Sequence, residues 1–181
     1  MAPSLTRREA LGGAAAALVL GSCGGDPPPG RGPRPGSGAA LYGSLLALQN
    51  ATVAAYGACE EVLRGEALAQ ARAIREQERA VAGRLAIAIT GLGGDPPSGK
   101  SAEDYAGTFP RLRSAADALH FADDLEQRQL RAYLDALTDF AGAGDRATAA
   151  DIGAGQAAHL AAIRVLRGLQ AAEGPFVTGA L

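Results

Sequence analysis

GLGGDPPSGKSAEDYAGTFPRLR, residues 91–113, is the stretch on which the fold turns. Gly91, Gly93, Gly94 and the pair Pro96-Pro97 stop any helix arriving from the N-terminal side. Glycine costs about 1 kcal/mol and proline about 3 kcal/mol in a helix interior. Helix resumes after Ser114, which has capping-box-like spacing with Asp117 three residues on. Fully extended, the link could cover roughly 75 Å, whereas a helix of about 25 residues is only about 37 Å long. It can therefore run the whole length of a helical bundle and start the next helix at the end where the previous one began. Ser101 and Asp104 repeat the capping spacing, so a short helix from Ser101 to Gly107 is expected on the way.

Outward from this link the chain reads as helix from Ala39 on, with no alternating strand pattern of useful length. The periodicity predicts four long segments: Leu41 to Arg64, Glu66 to Thr90, Ser114 to near Phe140, and one from Asp145–Thr148 to just before Gly174-Pro175. Gly65 separates the first two, and Gly142 and Gly144 the last two, so each pair is joined tightly and forms an antiparallel hairpin. Two hairpins joined by a long crossover between helices 2 and 3 is the expected architecture. An up-and-down bundle with a loose loop is the alternative. Composition agrees with an all-α domain: 48% of residues are hydrophobic and only 4% aromatic, with no Trp. Small apolar side chains favour close helix packing over a β-sandwich.

The N-terminus reads as an address. Thr6-Arg7-Arg8-Glu9-Ala10-Leu11 resembles a twin-arginine export signal. The apolar run that follows, Leu11 to Leu20, is too short to span a bilayer. Leu20-Gly21-Ser22-Cys23 resembles a lipobox, which makes Cys23 the expected lipidation site and the new N-terminus. Residues 24–38, GGDPPPGRGPRPGSG, are almost entirely Gly and Pro and suit an extended tether reaching roughly 45 Å. The expected organisation is a leader over 1–22, the lipidated Cys and tether over 23–38, a helical domain over 39–173 and a tail over 174–181. The expected location is the outer face of the cytoplasmic membrane, held there by the lipid. Removing Arg7, Arg8 and Glu9 with the leader leaves 15 basic and 18 acidic residues, a formal charge of −3. No basic patch is present, so nucleic acid is not an expected partner; the sequence names no protein partner.

Each long segment carries one apolar stripe, and each stripe is interrupted midway by polar groups. The stripes are Leu45, Gln49, Thr52, Tyr56, Cys59, Leu63; Ile74, Glu78, Val81, Leu85, Ala88, Leu92; Leu119, Ala122, Glu126, Gln129, Tyr133, Leu137, Phe140; and Ile152, Gln156, His159, Ile163, Leu166. A buried unpaired carboxylate is costly, so these polar groups should meet one another or water. Glu76, Asp123 and Asp124 fall off the stripes and are expected to be solvated, and His120 is expected at the surface.

The stretches LLALQNATVAAYG, IREQERAVAGRLAIAITGLGGDPP, FADDLEQRQLRAYLDAL and GQAAHLAAIRVLRG resemble the ferritin-like di-iron carboxylate family, in its exported bacterial branch. The likeness rests on their joint order and spacing over about 130 residues. It implies a ferritin-like four-helix bundle whose site takes one Glu from each of two helices and a Glu-x-x-His from each of the other two. Carried over position by position, Gln49 stands where a Glu is expected, Glu78 is kept, and Val81 stands for a His. Glu126 is kept, Gln156 stands for a Glu, and His159 is kept. The resemblance assigns the Gln49 and Val81 positions to one metal and Glu126 and His159 to the other, with Glu78 between them. One half of the site is therefore emptied. A two-metal ferroxidase is not expected, because Val81 cannot ligate and a neutral amide is a poor ligand for a hard cation. The expected state has no cofactor: Glu126 and His159 pair, and Glu78, Gln49 and Gln156 complete a buried hydrogen-bond network. The alternative is one Fe, Mn or Zn ion on Glu78, Glu126 and His159.

Cys59 lies on a stripe and is expected to be a buried, inert thiol. Tyr56 and Tyr133 are expected in the core with their hydroxyls toward the polar layer. No Ser-His-Asp set, phosphate loop or CxxC is present, which removes support for hydrolase, nucleotide-binding and thiol-redox readings.

Overall fold

The structure is a computed structural model, and it describes residues 37–100 and 102–172. The twin-arginine-like segment, Cys23, nearly all of the expected tether and the expected tail over 174–181 lie outside the described residues. Among the described residues five helices form: α1 (Ser37–Val62), α2 (Gly65–Gly91), the short α3 (Ala102–Ala106), α4 (Ala115–Asp139) and α5 (Ala143–Leu166). Among the described residues there is no strand, and no helix is long and apolar enough to cross a membrane.

The helix ends follow local chemistry. Ser114 caps α4, its hydroxyl accepting from the Asp117 amide at 3.1 Å, while the Asp117 carboxylate accepts from the Arg113 amide at 3.0 Å. Those backbone and hydroxyl donors hold the Asp117 carboxyl below its ordinary value. At the end of α2 the Gly94 amide donates to the Ile89 carbonyl at 3.0 Å and the Gly93 amide to Thr90 at 2.9 Å, a Schellman motif with Gly93 at φ +75°. The same motif ends α5: the Leu169 amide donates to Arg164 at 2.9 Å and Gly168 takes φ +73°. The final helix thus stops at Leu166, earlier than its periodicity implied, because Gly168 supplies the left-handed residue that terminates it. Likewise α2 ends before Leu92, which is 52% exposed, and Ile89 carries the stripe into the core in its place.

Cross-helix contacts define the topology. Along α1 from Cys59 to Thr52 to Gln49, the partners on α4 run Ala118, Gln129, Tyr133, so these helices are antiparallel. Glu60 meets Arg75, and Gln49 meets the carbonyl of Glu78, so α1 and α2 are antiparallel too. Glu78 meets His159, and Arg84 meets Asp151, giving the same sense for α2 and α5. Helices α2 and α4 therefore run parallel, which requires the residues between them to cross the bundle lengthwise. On that path α3 packs on α1, and Phe109 sits between Tyr105 and Phe121, with ring centroids 6.0 and 5.7 Å away. The crossover topology holds, and the up-and-down alternative does not.

Two apolar clusters fill the bundle. One end is built on Tyr56, Cys59, Leu63, Ile74, Leu119 and Ile163, with Phe109 and Leu112 of the crossover closing over it. The other end is built on Leu45, Leu46, Leu85, Ile89, Phe140 and Ile152. Between them lies a layer of buried polar side chains, and it is this layer that the fold positions.

Candidate metal centre

Seven polar side chains from all four long helices occupy the middle layer: Gln49 and Thr52 from α1, Glu78 from α2, Glu126 and Gln129 from α4, Gln156 and His159 from α5. Each sits where the apolar stripe of its helix carries it inward, so the periodicity that builds the core also assembles the site. Six of the seven are at most 1% exposed, and His159 is 7% exposed.

The layer is organised around His159. Its Nδ1 lies 3.0 Å from Oε1 of Glu78 and 3.6 Å from Oε2 of Glu126. The first is a hydrogen bond; the second is an ion-pair distance. Its Nε2 faces Oε1 of Gln77 at 2.6 Å. With acceptors at both ring nitrogens, the ring is disposed to donate twice, as an imidazolium does. Burial alone would depress its pKa, but the paired carboxylates of Glu126 and Glu78 outweigh burial and raise it to about 9.

The carboxylates are held from their far sides. Gln156 Nε2 donates to Oε2 of Glu78 at 3.2 Å, and Gln49 Nε2 donates to the Glu78 backbone carbonyl at 3.4 Å. The Tyr56 hydroxyl donates to Oε1 of Glu126 at 2.5 Å. Burial, and then the charge of Glu78, raise the Glu126 carboxyl above its ordinary value, against the opposing pull of His159 and Tyr56. Burial and the nearby Glu126 charge push the Tyr56 phenol well above its own. Between α1 and α4, the Tyr133 hydroxyl donates to Oε1 of Gln49 at 2.9 Å, and Gln129 Nε2 donates to the Thr52 hydroxyl at 2.8 Å. Three buried oxygens receive no hydrogen bond: Oε2 of Glu126, Oε1 of Gln129 and Oε1 of Gln156.

Glu78, Glu126 and His159 thus converge, with ligand atoms all within 4.8 Å of one another, and Gln49 and Gln156 join the same layer. Two carboxylates and an imidazole at this spacing form a group that could bind a metal ion. Ligands at about 2.1 Å from a divalent ion stand roughly 3.0–3.5 Å apart, close to the 3.0 and 3.6 Å separations here. The other half offers no comparable set: the Gln49 oxygen is already occupied by Tyr133, and Val81 has no donor atom. Cys59 is buried, and burial pushes its thiol up to about 12, as befits an inert core residue.

Asp123 is not solvated. It is 1% exposed, receives Gln127 Nε2 at 2.6 Å, lies 3.8 Å from Arg164 Nε and pairs with Arg167. It sits one turn before Glu126 on the flank of α4 that faces α5, and Arg164 and Arg167 offer the charge that allows its burial. Their i, i+3 spacing on the last helix was the available signal. Glu76 and Asp124 are solvent-facing, and so is His120, which contacts Arg167 at 3.1 Å. Gln77 carries no sequence signal, because it is exposed and lies beside the stripe.

Comparison with known proteins agrees with this geometry. The Ferritin-like domain profile matches residues 38–169, most of the chain. The chain belongs to the ferritin-like domain family. Its fold is similar to the crystal structure of a conserved hypothetical protein, rv2844, from Mycobacterium tuberculosis, with a TM-score of 0.65 and 20% identity. That match covers 72% of this chain and 96% of that one. Among curated proteins no sequence match is found.

Proposed function

We propose that this chain is an exported, lipid-anchored ferritin-like protein that has given up two-metal ferroxidase chemistry and acts as a binding or structural module at the outer face of the membrane. The observation that carries the proposal is the set of hydrogen bonds that ties the polar layer together across helices. Gln49, Gln156, His159 and Glu78 all find protein partners across helices, in a network that can fix helix register without an ion. The anchor rests on the contiguous twin-arginine-like, apolar and lipobox-like segments ending at Cys23, followed by the Gly/Pro tether. Cys23→Ala should shift the protein from the membrane fraction to the soluble exported fraction. Undiminished membrane retention would contradict the anchor.

A second reading is favoured by one observation: Oε2 of Glu126 is buried, without a hydrogen-bond partner, and faces the imidazole of His159. On this reading Glu78, Glu126 and His159 hold one Fe(II), Mn(II) or Zn(II) ion, which would supply Lewis-acid or one-electron chemistry when bound. The chain's own contribution is to fix the carboxylates through Gln156 and Tyr56 and to exclude water with the two apolar clusters. Binding must displace the His159 proton, so affinity should rise with pH. Elemental analysis of protein purified without chelator separates the readings. Near-stoichiometric metal, lost in both Glu126→Ala and His159→Ala, would overturn the metal-free module. A protein that is metal-free and resists reconstitution would overturn the second reading.

A further inference from the structure

Where the last helix ends, the bundle keeps apolar surface in water. Val165 is 60% exposed and Leu169 47% exposed. Beside them lies an open, mostly apolar hollow of about 330 Å³, between the start of α2 and the end of α5. Ala161, Ala162, Val165 and Leu166 of α5 line it, together with Gln70 of α2 and, past the left-handed turn at Gly168, Ala171. The methyl side chains at 161 and 162 leave the space that larger residues would fill. Exposed apolar surface around a hollow favours a contact that removes it from water. The hollow lies on the seam where Gln77 of α2 meets His159 of α5: Gln70 stands two turns before Gln77, and Ala162 one turn after His159.

Size and position select the occupant. A hollow of this volume takes one or two side chains, far short of the roughly 800 Å² per partner that a stable interface between separate molecules buries. A partner from solution would have to offset its lost translational and rotational freedom with that small contact. A segment of the same chain is already held nearby at high effective concentration. Ala171 lines the hollow and stands at the end of the described residues. Beyond it the sequence reads Glu173-Gly174-Pro175-Phe176-Val177-Thr178-Gly179-Ala180-Leu181. Its first large apolar residues are Phe176 and Val177, and residues 174–181 include no charged side chain. From Ala171 to Phe176 a chain can span up to about 17 Å, whereas α5 rises only about 6 Å between Ala161 and Val165. We propose that the hollow between α2 and α5 is the docking site of this chain's own segment 174–181, with the Phe176 ring seated on Ala162 and Val165. Docked there, the segment covers the seam beside Gln77 and His159. The ferritin-like match ends at residue 169, so the segment lies beyond what the chain shares with that profile.

The chain has no Trp, so Phe176→Trp in the full chain installs a single fluorescent reporter. In the folded protein its emission should be blue-shifted, and its quenching by acrylamide severalfold weaker, relative to the same chain in urea, at every protein concentration. Val165→Glu, at a position already exposed, should return both readings to their values in urea while the helical circular dichroism is unchanged. With the native ring, Phe176→Ala should move the methyl resonances of Val165 in the NMR spectrum. It should leave in place those of Val81, three turns along α2 from Gln70. That comparison carries the test if the indole is too large for the hollow or Val165→Glu fails to fold. A solvated indole together with unmoved Val165 methyls would overturn the docking. So would protection that survives Val165→Glu in a folded protein, which puts the segment elsewhere. Protection that grows with protein concentration would also overturn it, because the occupant would then be the segment of a second copy.

Discussion

The clearest handle on the buried cluster is the proton on His159. Its folded pKa is raised to about 9 from an ordinary 6.5, and the ring is only 7% exposed, so solvent screens the interaction little. A group that holds its proton more tightly when folded stabilises the fold fully below its unfolded pKa. That stability is lost as pH rises through the folded value. The gap corresponds to roughly 3 kcal/mol, present below about pH 6 and nearly gone by about pH 9.5. Glu126, whose carboxyl burial also holds up, contributes with the same sign. The imidazolium is therefore isolated by a difference between variants. Wild type and His159→Gln would be unfolded in urea, with chelator present, at intervals from pH 6 to 9.5. The stability difference should start near 3 kcal/mol and shrink toward zero over that range. A difference that stays flat, or grows with pH, would refute the picture of an imidazolium held between Glu78 and Glu126.

Two further expectations test other parts of the bundle. Asp123→Ala should cost about 3 kcal/mol in chemical denaturation, since it removes a carboxylate that is 1% exposed, pairs with Arg167 and lies 3.8 Å from Arg164. Asp124→Ala, on a side chain 47% exposed, should cost under about 0.5 kcal/mol, and equal costs would contradict the buried clamp. Gly168→Ala forces a β-carbon into φ +73° and should lower stability by about 1 kcal/mol; an unchanged melting temperature would show that the α5 terminus does not need the left-handed residue.

Much of the fold was legible because its determinants are local and repetitive. The stop at Gly91 to Pro97, the Ser114–Asp117 cap and the length of the link each have one physical meaning. Together they allow α2 and α4 to be parallel, and the cross-helix contacts make them so. What was not legible depends on neighbours that the chain supplies from elsewhere. Asp123 looks like a surface residue until Arg164 and Arg167 arrive from α5. Leu92 looks like core until Gly93 turns the chain out of the helix. The contact of Gln77 with His159 depends on side-chain reach across a seam, which helical phase does not encode.

The middle layer was legible in membership but not in balance. Periodicity places Gln49, Glu78, Glu126, Gln156 and His159 inside, and they are indeed buried. The balance follows from charge. A site with four carboxylates in a closed apolar bundle is tolerable only while metal ions neutralise it, because a buried uncompensated charge costs several kcal/mol. Where the family resemblance implies Glu at positions 49 and 156, glutamine carries no charge but has the same side-chain length and hydrogen-bonding atoms. Glu78 and Glu126 then face the His159 ring, whose proton their charges hold up to about 9, while burial raises the Glu126 carboxyl above its ordinary value. Neutral amides at these two positions keep the charge of the layer low, and Oε1 of Gln156 stands there without a hydrogen-bond partner.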